Sequence, residues 1–397
     1  MTRREIKLSD RLAIVMGASP TGLAAVRGMG KKGIRVRVAD FKADRPAFHS
    51  RFNHGSAIVG DTAEQIIDNI LTATQQESQP PIVIPTSDAM VLGLVEHRQR
   101  YQGKLKTYQA IENGLAASVT DKASFYQQCL DADVPTAKTA FPQSGDEILA
   151  LAASFQFPLL LKPVFGHLWR ERLKGHKLLV ANSRSDLKQI VDSLGDDAAG
   201  LMVQELIPGP EKDIWIGGVY RGENGQHDGC FVGQKTRQYP PNFGSASYAK
   251  SIYKSEIEDL SWKFLDAVDY RGICGTEFKL DRRDGQYKII EVNPRPTLWF
   301  HLVSAAGMNL FEFAFHDLAG KRLPTSITAQ VPGVRWCFQD KDFLTWGHHL
   351  KRMNLSPVVT TFSPWNHGAV VSLRDPKPFL KIPFYYLRRI RERFFNR

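Results

Sequence analysis

The chain has 397 residues, of which 43% are hydrophobic and 23% charged, an ordinary globular balance that excludes disordered, collagen-like and low-complexity classes. Lys and Arg outnumber Asp and Glu by 52 to 41, a formal charge of +11. The excess is uneven, because residues 331–397 hold 12 basic and 4 acidic side chains; a near-neutral body with a basic tail is not the spread footprint of a nucleic-acid-binding fold.

In chain order, the opening reads as α/β. Leu12–Met16 is a short apolar strand, Gly17–Gly22 a turn, Leu23–Lys32 a helix, and Ile34–Ala39 an alternating strand that ends at Asp40. Thr62–Thr74 continues as helix and Ile82–Pro85 as strand, so a parallel sheet is expected over residues 1–120. The texture changes near Thr120. Asp121–Asp131 and Asp146–Phe155 read as helices, and Ser255–Val268 as another. Between and beyond them the strands look antiparallel: Leu159–Val164, His176–Ala181, Gly200–Glu205, Asp213–Tyr220, Gly229–Gln234, Gly275–Leu280 and Gln286–Val292. The last two are joined by Asp281–Gly285, a hairpin connection with Gly placed for positive φ. Trp336–Trp365 is aromatic-rich and reads as a small accessory unit.

Chemistry concentrates on that hairpin. Glu277 lies on one strand, and Glu291 and Asn293 lie on its partner, two residues apart and so on one face. Three oxygen ligands there suit Mg²⁺; a solvated strand face with alternating charge is the competing reading. Lys162 closes the apolar run Pro158–Leu161, which is costly unless its ammonium meets an anion, the alternative being a surface lysine at a strand end. Residues 165–176 contain Gly166 and Gly175 among several cations and read as a phosphate-covering loop, poorer in glycine than such loops usually are. Val203–Glu211 runs from strand into a Pro-Gly turn and could offer backbone groups to a flat base and a carboxylate to a ribose. Lys235 and Arg237, two apart, share a face and could hold a carboxylate or a transferred phosphate, or form a solvated strand end. Gly17 and Gly22 with Asp40 form only part of a dinucleotide fingerprint; a helix N-terminus toward a substrate anion, or plain turn chemistry, is favoured, with Thr86-Ser87-Asp88 at the same edge.

Asp121-Lys122, Lys162-Pro163, Gln204-Glu205 with Pro208-Gly209-Pro210-Glu211, Glu277, and Glu291-Val292-Asn293-Pro294-Arg295 follow one another in an order that resembles the ATP-grasp superfamily. Within it the chain looks like the carboxylate–amine ligase branch that includes D-aspartate ligases and carbamoyl-phosphate-synthase-like proteins, over roughly residues 10–330. The resemblance implies an N-terminal parallel-sheet pre-ATP-grasp domain (1–120), a two-lobed ATP-grasp domain (121–330, lobes about 121–202 and 203–330) and a basic aromatic C-terminal extension (331–397), an α/β plus α+β architecture. It implies ATP and Mg²⁺ (or Mn²⁺) as cofactors. Lys122, Lys162 and Lys177 would contact phosphates; Gln204, Glu205 and the backbone at Leu206 and Ile207 would hold the adenine; Glu211, or Asp213 in its place, would take the ribose. Glu277, Glu291 and Asn293 would hold the metal, and Arg295 would neutralise charge on the transferred phosphoryl group, with Lys235 and Arg237 facing the substrate. The implied activity is phosphorylation of a small carboxylate to an acyl phosphate that an amine displaces, with ADP and phosphate released. A non-catalytic nucleotide sensor or scaffold and an NAD(P)-dependent oxidoreductase are the rival readings.

Four scattered cysteines (Cys129, Cys230, Cys274, Cys337) without CxxC spacing imply a reducing compartment. The opening MTRREIKLSDR has no apolar run behind it, and the uncharged stretch Met353–Leu373 is too polar and too broken to span a bilayer. Small-molecule substrates, no nucleic acid and a cytoplasmic location are therefore expected. In Pro383–Arg397, Tyr386, Leu387, Ile390 and Phe394 share one helical face away from the basic side chains. That basic helix could rest on the inner membrane face or an acidic partner, or pack on the protein's own body.

Overall fold

The structure, a computed structural model, describes residues 9–164, 178–321, 329–351, 353–363 and 366–381. The first layer is a four-stranded parallel sheet in the order β3-β2-β1-β4, built from β1 (Leu12–Met16), β2 (Arg35–Asp40), β3 (Ile58–Val59) and β4 (Ile82–Pro85). Every residue of β1 is buried, as expected of a central parallel strand covered on both faces. Helices α1 (Pro20–Gly30) and α2 (Ala63–Ala73) connect strands of this sheet, and α3 (Asp88–Glu96) follows β4. The glycines of the first turn serve close packing. A Cβ on Gly17, at φ +112°, would sit 2.5 Å from Thr86 Oγ1, and one on Gly22 would sit 1.9 Å from the Gly17 carbonyl oxygen. The Asp40 carboxylate accepts from the backbone N–H groups of Ala18 and Phe41. It is engaged inside the fold, which leaves the partial dinucleotide fingerprint, disfavoured from the sequence, without a ribose-binding acid.

A second sheet, antiparallel and ordered β5-β8-β6-β7, follows α4 (Lys122–Asp131). It comprises β5 (Thr139–Ala140), β6 (Leu159–Pro163), β7 (Leu179–Ala181) and β8 (Leu201–Glu205), with α5 (Gly145–Leu151) and α6 (Arg184–Leu194) on one face. Strand alternation decides what faces where. Leu159, Leu161, Leu201 and Val203 pack with Ile148, Leu187 and Val191 of the helices, which turns Leu160, Lys162 and Gln204 the other way.

The third sheet has seven strands, β13-β12-β9-β10-β11-β14-β15. In chain order these are β9 (Ile214–Arg221), β10 (His227–Tyr239), β11 (Ser245–Ser251), β12 (Gly272–Asp281), β13 (Gln286–Asn293), β14 (Arg335–Cys337) and β15 (Asn366–Gly368). Helix α7 (Ser255–Ala267) contributes Ile257, Phe264 and Leu265 to the core on one face, while α8 (Phe300–Ala305) and α9 (Leu310–Leu318) pack on the other. Gly285 adopts the expected positive φ, +76°.

Strand β11 begins at Ser245 and pairs antiparallel with a β10 that runs on to Tyr239. The stretch read as a small accessory unit joins the main sheet: β14 pairs with β11, Tyr248 opposite Cys337. The segment that follows, α10 (Gln339–Phe343), α11 (Trp346–Leu350) and α12 (Ser356–Thr360), is fixed by buried Asp342. Further on, buried Asp375 accepts from Arg27 Nε (2.9 Å), Ser50 Oγ (2.8 Å) and Arg51 N (2.9 Å), joining the C-terminal segment to the first layer. Among the described residues, no helix is long and apolar enough to cross a membrane. The basic helix expected at 383–397, the loop at 165–176 and Lys177 lie outside the described residues.

Candidate active site

The antiparallel register places Glu277 of β12 directly opposite Glu291 of β13, with Asn293 two residues further along opposite Gly275. Two carboxylates and an amide oxygen therefore occupy one end of the sheet face. Lys235 of β10 donates to Glu277 Oε2 at 2.7 Å, both side chains being largely buried. Glu291 opens onto the cleft, where solvent reaches it, but protein encloses it. That enclosure, and then the Glu277 charge beside it, pushes its carboxyl above the ordinary value against the pull of Lys235 and Arg295.

Facing them across the cleft is the second sheet. Lys162 donates to Gln204 Oε1 at 2.7 Å, and its pKa falls from 10.5 to about 8, through burial first and the neighbouring Lys122 second, with Glu291 opposing. Lys122, at the first turn of α4, donates to the Pro163 carbonyl and is also lowered by burial, against the attraction of Glu291. Two ammonium groups held close together by the fold, both disfavoured in their charged state, form a site with an affinity for anions.

Three adjoining cavities make one continuous cleft. The outermost, about 260 Å³, is lined by Ile207, Gly209, Glu211, Gln238 and Lys279. It shares Ile207, Gln238 and Lys279 with a second, about 190 Å³, that also includes Lys162, Glu277 and Glu291. Those two glutamates and Lys235 then line the largest, about 620 Å³, with Asn293, Arg295, Thr297 and Trp299. Its remaining walls come from the N-terminus of α1 (Ser19–Thr21), from Arg45 and His49, and from the C-terminal segment (Phe338, Lys341, Pro378, Lys381). The glutamate pair thus stands at the junction between a slot and a chamber.

Several predicted residues do other work. Gln204, 3% exposed, donates from Nε2 to Thr139 Oγ1 (2.8 Å) and accepts from Lys162, so its side chain positions the lysine instead of holding a base. Glu205 lines the slot, but its carboxylate accepts from Gln156 N (2.9 Å) and approaches Arg283. The Leu206 N–H donates to the Pro158 carbonyl (3.0 Å), and the Ile207 carbonyl accepts from Lys279 Nζ (2.7 Å). Both residues line the slot, but those backbone groups are engaged. Asp213 forms a bidentate pair with Arg282, both contacts 2.7 Å, and is unavailable to a ribose. Glu211 does line the outer slot, with Oε1 accepting from Asn242 N at 3.0 Å.

Arg237 is the largest departure. Irregular pairing at Lys235–Arg237 and Arg237–Gln238 breaks the two-residue alternation. Lys235 enters the cleft, while Arg237 turns to Asp342 (Nε–Oδ1 2.8 Å, Nη2–Oδ2 2.6 Å) and lies over the Tyr248 ring, outside the three cavities. Arg295 does reach the chamber, held by a bidentate pair with Asp88 at the start of α3 (2.6 and 2.8 Å). Sequence reasoning missed Gln238, Thr297, Trp299 and the C-terminal wall. Only their polarity in apolar surroundings hinted at them.

The geometry is that of a two-lobed cleft, one lobe supplying cations and the other paired carboxylates, preceded by a parallel-sheet layer. A family model for the ATP-binding domain of the carbamoyl-phosphate synthase L chain matches residues 246–325. The chain is 24% identical over 253 residues to a D-aspartate ligase of Enterococcus faecium, covering 61% of this chain and 59% of that protein. It is also 24% identical over 331 residues to a formate-dependent phosphoribosylglycinamide formyltransferase of Bacteroides thetaiotaomicron, covering 81% and 78%. Among solved structures, an ADP complex of N5-carboxyaminoimidazole synthetase from Staphylococcus aureus superposes with a TM-score of 0.65 at 16% identity over 87% of both chains. A nucleotide complex of Campylobacter jejuni biotin carboxylase gives 0.61 at 16% identity over 80% of this chain and 73% of that one. The chain thus shares the ATP-grasp fold of these solved enzymes, and in sequence it is similar to carboxylate–amine ligases of that superfamily.

Proposed function

We propose that the chain is an ATP-dependent ligase that activates a small carboxylate, an amino acid or similar acid, as its acyl phosphate and couples it to an amine, releasing ADP and phosphate. The observation that carries the reading is the junction: Glu277 and Glu291 line both the slot behind Lys162 and the 620 Å³ chamber beyond. A nucleotide in the slot would present its terminal phosphate there, to a substrate in the chamber. The slot suits a nucleotide in another respect. Gln238 Nε2 is buried and has no partner among the described residues, a donor placed for a ring nitrogen or a ribose oxygen.

The donor set at the junction fits Mg²⁺ (or Mn²⁺). Two facing carboxylates and an amide are hard oxygen donors, and the Glu291 carboxyl, raised first by enclosure and then by the Glu277 charge, is one whose ionised form a divalent cation would favour. Among the described residues no cluster of three His, Cys, Asp or Glu side chains occurs, so phosphate oxygens would complete the coordination. Glu277, Glu291 and Asn293 would hold the ion, which when bound neutralises phosphate charge. Lys162 and Lys122 would bind the phosphates, with Gln204 orienting Lys162. Arg295, in the chamber lining, would face the transferred phosphoryl group. Thr297 Oγ1 and Trp299 Nε1, both buried without partners among the described residues and lining the chamber with Arg295, suit an oxygen-rich substrate.

The test is an ADP-release screen across amino acids and other small acids with hydroxylamine as acceptor, run beside Glu291→Ala. An acid that raises release and yields a hydroxamate, with neither seen in the variant, supports the proposal. If no acid lifts release above the variant's background, the ligase reading is abandoned.

A further inference from the structure

Exposed large apolar side chains are scattered singly through the first 342 residues: Val59, Leu92, Leu130, Phe243, Tyr253 and Val331. Single exposures of this kind are normal. Between Phe343 and Phe362 the pattern changes. Phe343 (52% exposed), Leu344 (54%), Met353 (92%), Leu355 (64%), Val359 (75%) and Phe362 (63%) all face solvent on the α10–α12 unit. The inner side of the unit is well anchored: Asp342, Thr345 and Thr361 are fully buried, and Asp342 accepts from Arg237, Ser247 and Thr361. The apolar side chains outside are therefore a property of a fixed surface. Met353 sits at φ +56°, a left-handed turn conformation that favours Gly or Asn, so the turn projects a long apolar side chain into water with nothing in the fold to explain it.

Charge identifies the occupant. No Asp or Glu occurs from Phe343 to Arg374, while exposed Lys351 lies within the patch and exposed Arg374 beside Leu373, which is itself 98% exposed. Beyond Lys381 the sequence adds five arginines and one glutamate. Protruding apolar side chains set among cations, with no acidic residue between them, match the headgroup boundary of an anionic bilayer. A second copy would bring the same cations face to face, and large exposed apolar patches on soluble proteins mark interaction surfaces in any case.

We infer that the outer face of α10–α12 docks on an anionic lipid surface, with Met353, Leu355 and Val359 entering the interface and the basic side chains meeting lipid phosphates. The inference does not depend on the ligase reading. The test is sedimentation of the full-length chain with vesicles of phosphatidylcholine alone or mixed with phosphatidylglycerol. Binding is expected on the mixed vesicles, weakened by salt, and at least about tenfold weaker for Met353→Asp/Leu355→Asp/Val359→Asp. Met353→Asp alone, at a nearly fully exposed position, should weaken it in part while leaving the thermal midpoint unchanged. The inference is overturned if neither vesicle binds, or if the triple variant binds as well as wild type, which would assign attachment to the arginine-rich tail alone. A concentration-dependent dimer that the triple variant abolishes would overturn it in favour of self-association.

Discussion

Replacing Lys162 with methionine should stabilise the free protein while abolishing tight nucleotide binding. Burial and Lys122 lower the Lys162 pKa from 10.5 to about 8, which corresponds to roughly 3 kcal/mol of disfavour for the charged form in the folded chain. Methionine fills a similar volume and removes that cost, but leaves Gln204 Oε1 without its donor, a loss of about 1–3 kcal/mol. The net expectation at neutral pH is stabilisation of about 1 kcal/mol, or a midpoint raised by about 2–4 °C. The pH dependence carries the sharper signature. Below about pH 8 the ammonium is charged in folded and unfolded chains alike, and its cost is fully present. Between about pH 8 and the unfolded value of 10.5 the folded chain gives up its proton first, so wild-type stability rises with pH and the advantage of methionine shrinks. Thermal or urea unfolding across that range, beside calorimetric titration with a non-hydrolysable ATP analogue, reads both quantities. Loss of a charge-assisted phosphate contact should weaken nucleotide binding by about tenfold or more. A lowered midpoint, an advantage that persists undiminished to pH 10, or unchanged nucleotide affinity would refute the reasoning.

Glu291→Gln should cut ADP release by at least about 100-fold, with the urea midpoint unchanged or raised, since the group it neutralises is already crowded by Glu277. Asp375→Leu leaves the Arg27 guanidinium buried and unpaired and should cost about 3–5 kcal/mol in urea unfolding; adding Arg27→Met should recover much of that loss. Arg237→Met should likewise destabilise, by breaking the buried pair with Asp342, while enzyme that remains folded keeps its KM for the acid. Lys235→Met should change kcat or KM and also lower the urea midpoint, because it leaves the largely buried Glu277 carboxylate without its cation.

What was legible in the sequence is what depends on local pattern. The hairpin Asp281–Gly285 fixes the register, and the register alone puts Glu277 opposite Glu291. Apolar runs such as Leu12–Met16 announce buried parallel strands before any partner is known. Side-chain direction failed wherever the backbone left its regular period. The i, i+2 rule that aligned Glu291 with Asn293 would have aligned Lys235 with Arg237, but the irregular pairing of β10 with β11 sends them to different neighbours.

The other misses share a physical cause. Gln204, Asp213, Arg237 and Asp375 are polar groups whose partners lie 42, 69, 105 and 348 residues away in the chain, and no local pattern encodes such a pairing. Motif order conveyed which strands build the cleft, because order survives even where side chains have exchanged roles. It could not tell a carboxylate that meets a ligand from one that meets an arginine. The two differ by burial beside a cation: Asp213 and Asp375 are buried and doubly bonded, whereas Glu291 is crowded by a like charge and open to the cleft. A carboxylate kept close to another carboxylate is disfavoured in the empty protein, and binding a cation there relieves the cost. Glu291, Lys162 and Lys122, which line or face the cleft and whose surroundings oppose their charge, are the residues proposed to meet metal and phosphate, whereas Asp213 and Asp375, paired with arginines, hold the layers together.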